Sequence, residues 1–176
     1  KVKLSQSAVI DSLHAGVTAK GEGSLLELEE SVVRRTSGKL KTNGGLGASA
    51  FGKGTVRLVK SAITDMPVLG AYAGAGEGVV VMDRSTIVGV PPGGVFEFGR
   101  GASASESGRL ELKDTAVIGC PQSGIGLQQK ASGTFEHVYV KDARPIKESI
   151  GDYGGFGLLV EQESKATVTR STFEGN

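Results

Sequence analysis

One eight-residue pattern recurs along the chain and constrains its fold more than any other feature. It reads apolar, any, apolar, two mostly polar, Ser or Thr, small or β-branched, apolar. Copies stand at Val2–Val9, Leu26–Val33, Val56–Ile63, Val80–Ile87, Leu110–Val117 and Ala166–Phe173. The first five begin in steps of 24, 30, 24 and 30 residues. One copy is missing between residues 110 and 166. The best candidate for it is the degenerate stretch Val138–Pro145, reached through a small insertion.

A second motif closes each unit, a glycine followed by an apolar residue. It reads Gly16-Val17, Gly45-Leu46, Gly70-Ala71, Gly94-Val95, Gly124-Ile125 and Gly155-Phe156. Glycine-rich turns such as Gly21-Glu22-Gly23 and Gly52-Lys53-Gly54 follow. The 28 glycines among 176 residues are about twice the usual share, and without a Gly-X-Y period they mean turns, not collagen.

Period-two alternation over three to five residues describes a short strand with one buried face. Two or three such strands with glycine turns make one coil. A lone coil cannot bury its apolar face, but stacked coils share a continuous core. The expected fold is therefore all-β, a right-handed single-stranded parallel β-helix. It should contain about six coils of roughly 24–30 residues, in one domain over residues 1–176. The abrupt ends read as those of a piece of a longer protein. Leucine-rich repeats would need an asparagine signature and a helical return, and a propeller blade would need about 40 residues.

Three inner stacks follow from the register, led by Val2, Leu4 and Val9. Ser7, Ser31, Ser61, Ser85, Thr115 and Ser171 form a hydroxyl column. A small hydroxyl suits a corner, where it bonds backbone groups that the turn leaves unpaired. These serines are read as a structural ladder, not as nucleophiles. Outward charges come into register as Glu27 with Arg57, Glu30 with Lys60 and Arg84 with Asp114.

Twenty basic and nineteen acidic residues alternate without a basic stripe, so no nucleic-acid partner is expected. No apolar run reaches the ~18–20 residues of a membrane span, and no signal peptide is visible. The single cysteine, Cys120, excludes an internal disulfide and reads as a packed thiol. No catalytic residue, cofactor site or metal site is predicted.

Function is expected in the longer loops, because variable loops on one side of a regular stack usually carry binding. One such loop holds Arg34, Arg35, Lys39 and Lys41 without an acid. Another brings Arg144, Lys147, Asp152 and Tyr153 together. The first suits an anionic sugar or headgroup, and the tyrosine of the second offers a stacking face to a sugar. Both loops also fit a solvated role.

The coil pattern resembles the pectate-lyase-like superfamily of parallel β-helices over the whole chain. It is most similar to repeat proteins of secreted and surface bacterial proteins. That resemblance implies an extracellular, periplasmic or cell-surface location. It also implies a non-catalytic scaffold or a module that binds polysaccharide or another protein. Lyases of the superfamily hold calcium with clustered acids, and its hydrolases place aspartates on adjacent coils. Asp83, Asp114 and Asp142 are instead scattered among basic residues, so no catalytic residue carries over. Two alternatives stay open: part of a polysaccharide lyase or hydrolase, and a structural module that self-associates end to end.

Overall fold

The computed structural model describes residues 1–36, 45–89, 99–148 and 151–176, with only the backbone of 146–148 and 151–153. Lys39 and Lys41 therefore lie outside the described residues. Three parallel sheets wind through these segments. Sheet A takes Val2–Ser5, Leu25–Glu29, Thr55–Val59, Val79–Asp83, Arg109–Lys113, Ser132–Glu136 and Lys165–Thr169. Sheet B takes Ala8–Ile10, Val32–Arg34, Ala62–Thr64, Thr86–Val88, Ala116–Ile118, Tyr139–Lys141 and Thr172–Glu174. Sheet C takes Ala15–Lys20, Leu46–Phe51, Leu69–Gly74, Arg100–Ala104, Ser123–Leu127 and Phe156–Val160. Each coil runs A, B, C, and each strand pairs with its equivalent in the next coil. Coils are numbered from the N-terminus.

The expected stacks form. Val2 pairs with Leu26, Leu26 with Val56, Val56 with Val80, and Val80 with Leu110. Leu28, Leu58, Met82 and Ile63 are wholly buried beside them. The missing copy, however, is not Val138–Pro145. Sheet A pairs Leu110 with Gly133 and Leu112 with Phe135, so the sixth copy runs from Gly133 to Val140. Two substitutions disguise it. Glycine replaces the first apolar residue because the Phe135 ring needs its space: a Cβ on Gly133 would lie 2.3 Å from Phe135 Cζ. Val138 stands where the hydroxyl belongs.

The hydroxyl column lies at the corner between sheets A and B. Ser7, Ser31 and Ser61 each donate their backbone N–H to the hydroxyl of the next coil at 3.1 Å. Each hydroxyl in turn donates to a carbonyl two residues back, as Ser61 Oγ does to Val59 O at 2.9 Å. The residue before each hydroxyl adopts positive φ, from 47° at Asp114 to 51° at Arg170. Such a φ is costly for L-residues. Here it turns the chain between sheets while the N–H still reaches the next coil, as Lys60 N does to Asp83 O at 2.9 Å. The side chains at these positions are exposed.

The alternating steps have a simple origin. Coils 1, 3 and 5 pass from sheet B to sheet C through residues 11–14, 65–68 and 119–122. Coils 2, 4 and 6 do so through the longer segments 35–45, 89–99 and 142–155. All the longer connections thus join the same two sheets.

The glycine motif needs correction. The column on sheet C is Gly16, Gly47, Gly70, Gly101, Gly124 and Gly157. Gly45 and Gly155 precede it by two residues, and Gly94 lies outside the described residues. The column exists because a branched side chain of sheet B and a backbone carbonyl of the next coil meet there. A Cβ on Gly101 would lie 2.2 Å from Val117 Cγ1 and 2.6 Å from Gly124 O. Gly-apolar pairs are common in so glycine-rich a chain, and only packing distinguishes the crowded ones.

Of the aligned charges, Glu30 and Lys60 pair directly at 3.3 Å. Glu27 pairs instead with Lys1 at 2.7 Å, and Arg84 with the adjacent Asp83 at 2.9 Å. Asp114 faces His137 Nδ1 at 3.2 Å. Long side chains reach neighbours on either side, so register alone does not choose the partner.

Candidate functional site

Strand alternation sends Ala48, Ala50, Ala71, Ala73, Ala102 and Ala104 of sheet C into the core, where they are buried. The opposite face should then be polar. In coils 2 and 3 it is not, because Phe51 and Tyr72 occupy it, with Leu46 and Leu69 at the strand starts beside them. Together with Val68, Ala75, Arg100 and Glu106 they line a groove of about 350 Å³. That volume is at the small end of the ~300–1,000 Å³ range of ligand sites. The rings of Phe51 and Tyr72 lie 5.6 Å apart and are tilted at 57°. The Tyr72 hydroxyl shares a hydrogen bond of 2.5 Å with Ser105 Oγ.

One wall of the groove is held by a polar chain. Arg100 Nε donates to Gln122 Oε1 at 2.5 Å, and Arg100 Nη1 donates to Gln128 Oε1 at 3.0 Å. Gln128 Nε2 donates to Glu161 Oε2 at 2.7 Å. Gln122 is almost fully buried, so this end of the guanidinium is fixed by groups that cannot swing away. The groove thus combines an apolar, aromatic surface with one oriented cation and one carboxylate, Glu106. It can stack against a ring and hydrogen-bond its substituents.

The residues singled out from the sequence fall elsewhere. Arg34 Nε meets Asp65 Oδ2 at 2.8 Å. Arg35 forms a two-pronged pair with Asp11, at 2.8 and 3.1 Å. The two described arginines of the segment that looked purely basic are therefore matched by acids of the coils on either side. The Arg35 guanidinium also holds the Asp11 carboxyl below the usual carboxylate range through this hydrogen bond. Arg144 Nη2 lies 3.4 Å from Asp142. Pro145–Glu148 and Gly151–Gly154 form an antiparallel hairpin that sets Lys147 opposite Asp152 and Ile146 opposite Tyr153. Arg34, Arg35 and Arg144 do not line the groove.

Phe51, Tyr72, Arg100 and Glu106 were missed because they come from three coils. A signal existed: apolar residues at outward positions. It becomes readable only once Gly47 and Gly70 fix which side of sheet C faces out. Among the described residues, no three His, Cys, Asp or Glu side chains gather as a metal site would require. Among the described residues, no helix is long and apolar enough to cross a membrane.

No curated protein and no solved structure matches this chain. The family described as "Right handed beta helix region" matches residues 1–176. Parallel sheets and a match over the whole length agree: the chain belongs to the right-handed β-helix family.

Proposed function

We propose that this chain is a non-catalytic β-helical binding module of an exported bacterial protein, and that it takes polysaccharide on the outer face of sheet C. The observation that carries this reading is the Phe51–Tyr72 pair, set beside Arg100 and Glu106 in one groove. Two tilted rings present an apolar edge and face to a sugar ring. Arg100 and Glu106 supply a donor and an acceptor for its hydroxyls. The site lies on strands, whose spacing is set by the sheet, so the rings are oriented before the ligand arrives.

An enzyme that hydrolyses a glycosidic bond uses two carboxylates on either side of it. Glu106 is the single carboxylate lining this groove among the described residues. That favours binding over cleavage. The test is a pull-down against a polysaccharide panel, with and without calcium, followed by calorimetry on the best binder. Tyr72→Ala should weaken binding at least tenfold while its circular dichroism shows the chain still folded. Retention of no polysaccharide by the wild type, or equal affinity in Tyr72→Ala, would overturn the reading.

A further inference from the structure

Phe51, Gly74 and Ser105 stand side by side on three successive coils at the end of sheet C. Phe51 is the register partner of Gly74. Ser105 follows Ala104, the register partner of Ala73, and its N–H donates to Ala73 O at 3.0 Å. Gly74 has no side chain, yet its place is filled by another residue's. A Cβ built on it would lie within 2.8 Å of Tyr72 Oη, Cζ and Cε1. Gly78 and Gly108, in the turns that follow, are crowded instead by the backbone carbonyls of Ala50 and Ala73.

Strand alternation puts Tyr72 and Gly74 on the same face of the sheet. The Tyr72 phenol therefore runs along its own strand, over the residue two places on. It is held on both sides there. The Phe51 ring lies 5.6 Å away in coil 2, and Ser105 Oγ shares a hydrogen bond of 2.5 Å with the phenol oxygen in coil 4. A tyrosine standing off the sheet would offer its hydroxyl to a ligand, whereas one lying along the strand offers its ring. A ring already held also loses less side-chain freedom when a ligand arrives.

We infer that Gly74 and Ser105 are positioning residues of the groove: Gly74 makes the space in which the Tyr72 phenol lies, and Ser105 ties its hydroxyl, so that a bound sugar is met by the ring. The inference rests on the polysaccharide reading and deepens it. Contact at Tyr72 is with the C–H groups of a pyranose face, and the sugar's hydroxyls are left to Arg100 and Glu106. Gly74 does not adopt positive φ, so alanine suits its backbone. The atoms that the new methyl would meet are the far end of one side chain. The ring is displaced and the coil stays.

The experiment is calorimetry with the best binder among cello-, xylo-, manno-, laminari- and galacturono-oligosaccharides. Gly74→Ala and Ser105→Ala are each measured with Tyr72 present and in a Tyr72→Ala background, and circular dichroism establishes that each variant is folded. With Tyr72 present, Gly74→Ala should weaken binding about fivefold or more and Ser105→Ala about two- to threefold. In the Tyr72→Ala background neither should change the affinity, because a positioning residue has nothing left to position. Equal losses in both backgrounds, or no loss with Tyr72 present, overturn this inference and leave the groove reading standing. Binding of none of these oligosaccharides overturns the groove reading and this one with it. Nuclear Overhauser contacts in the ligand-free wild type give a second readout. The Tyr72 ring protons should contact the Gly74 α-protons and the Ser105 β-protons, and a ring without those contacts overturns the inference whatever the affinities. Ser105→Ala and these contacts decide the matter even where Gly74→Ala fails to fold.

Discussion

Replacing Gly101 by alanine isolates the packing that holds sheets B and C together. Gly101 does not adopt positive φ, so alanine suits its backbone and would by itself stabilise by about 0.4–1 kcal/mol through the unfolded chain. The new methyl, however, would lie 2.2 Å from Val117 Cγ1, 2.6 Å from Gly124 O and 3.0 Å from Cys120 Sγ. Val117 is wholly buried and cannot turn aside without displacing its neighbours in the stack. The Gly124 carbonyl belongs to the next strand, so relief there means separating coils. Overpacking of this kind costs about 1–3 kcal/mol when side chains alone can adjust. With backbone involved, a loss of about 3 kcal/mol or more is expected. Gly23→Ala is the control: it has positive φ (73°) but nothing within 4 Å, so it should cost only about 1–2 kcal/mol. The double variant Gly101→Ala/Val117→Ala removes one clash and keeps the carbonyl one, so it should recover little. Urea titrations followed by circular dichroism measure all three, with m compared because stacked coils can unfold in parts. A Gly101→Ala variant as stable as wild type would refute the argument that this column exists for close approach.

Further outcomes follow from other contacts. Ser61→Ala should cost about 1–3 kcal/mol, because it leaves the buried Ser31 N–H without its 3.1 Å acceptor, whereas Ser61→Thr should be close to neutral; denaturant midpoints decide. Gly133→Ala should be strongly destabilising beside the Phe135 ring but tolerated once Phe135→Leu has removed that ring, giving a coupling of at least about 1 kcal/mol in the double-mutant cycle. Hydrogen bonds from Arg35, Lys1 and Lys113 hold the carboxyls of Asp11, Glu27 and Glu136 below their ordinary range, and bonds from Gln6 and Lys60 do so for Glu30. Those depressed values contribute stability above the unfolded carboxylate range near pH ~4, and it is lost as pH falls through the folded values. The unfolding midpoint should therefore hold from about pH 7 to about 5 and fall below that, less steeply in ~1 M salt; a flat profile down to about pH 2 would contradict it.

Much of this fold is legible in the repeat. Strand alternation and the serine column are local patterns, and a coil stacks on its own copy, so one register predicts all the others. The sixth copy escaped because Phe135 and Gly133 exchange volume across two residues, which leaves the stack filled and the pattern broken. The glycine column escaped because crowding by Val117 or Ile63 is invisible along the chain. Likewise Arg34 and Arg35 looked like an unmatched basic cluster until Asp65 and Asp11 arrived from neighbouring coils.

The linear order of residues was enough to determine that coils form and, outside the disguised sixth copy, which side chains fill them and where hydroxyls turn the corner. Each of these depends on neighbours in the same coil or on identical neighbours above and below. The tertiary structure alone decided where binding can occur. Phe51, Tyr72, Arg100 and Glu106 come from three coils and become one surface only when sheet C stacks those coils side by side. A repeat specifies what is the same in every coil, whereas a site is made from what differs between them.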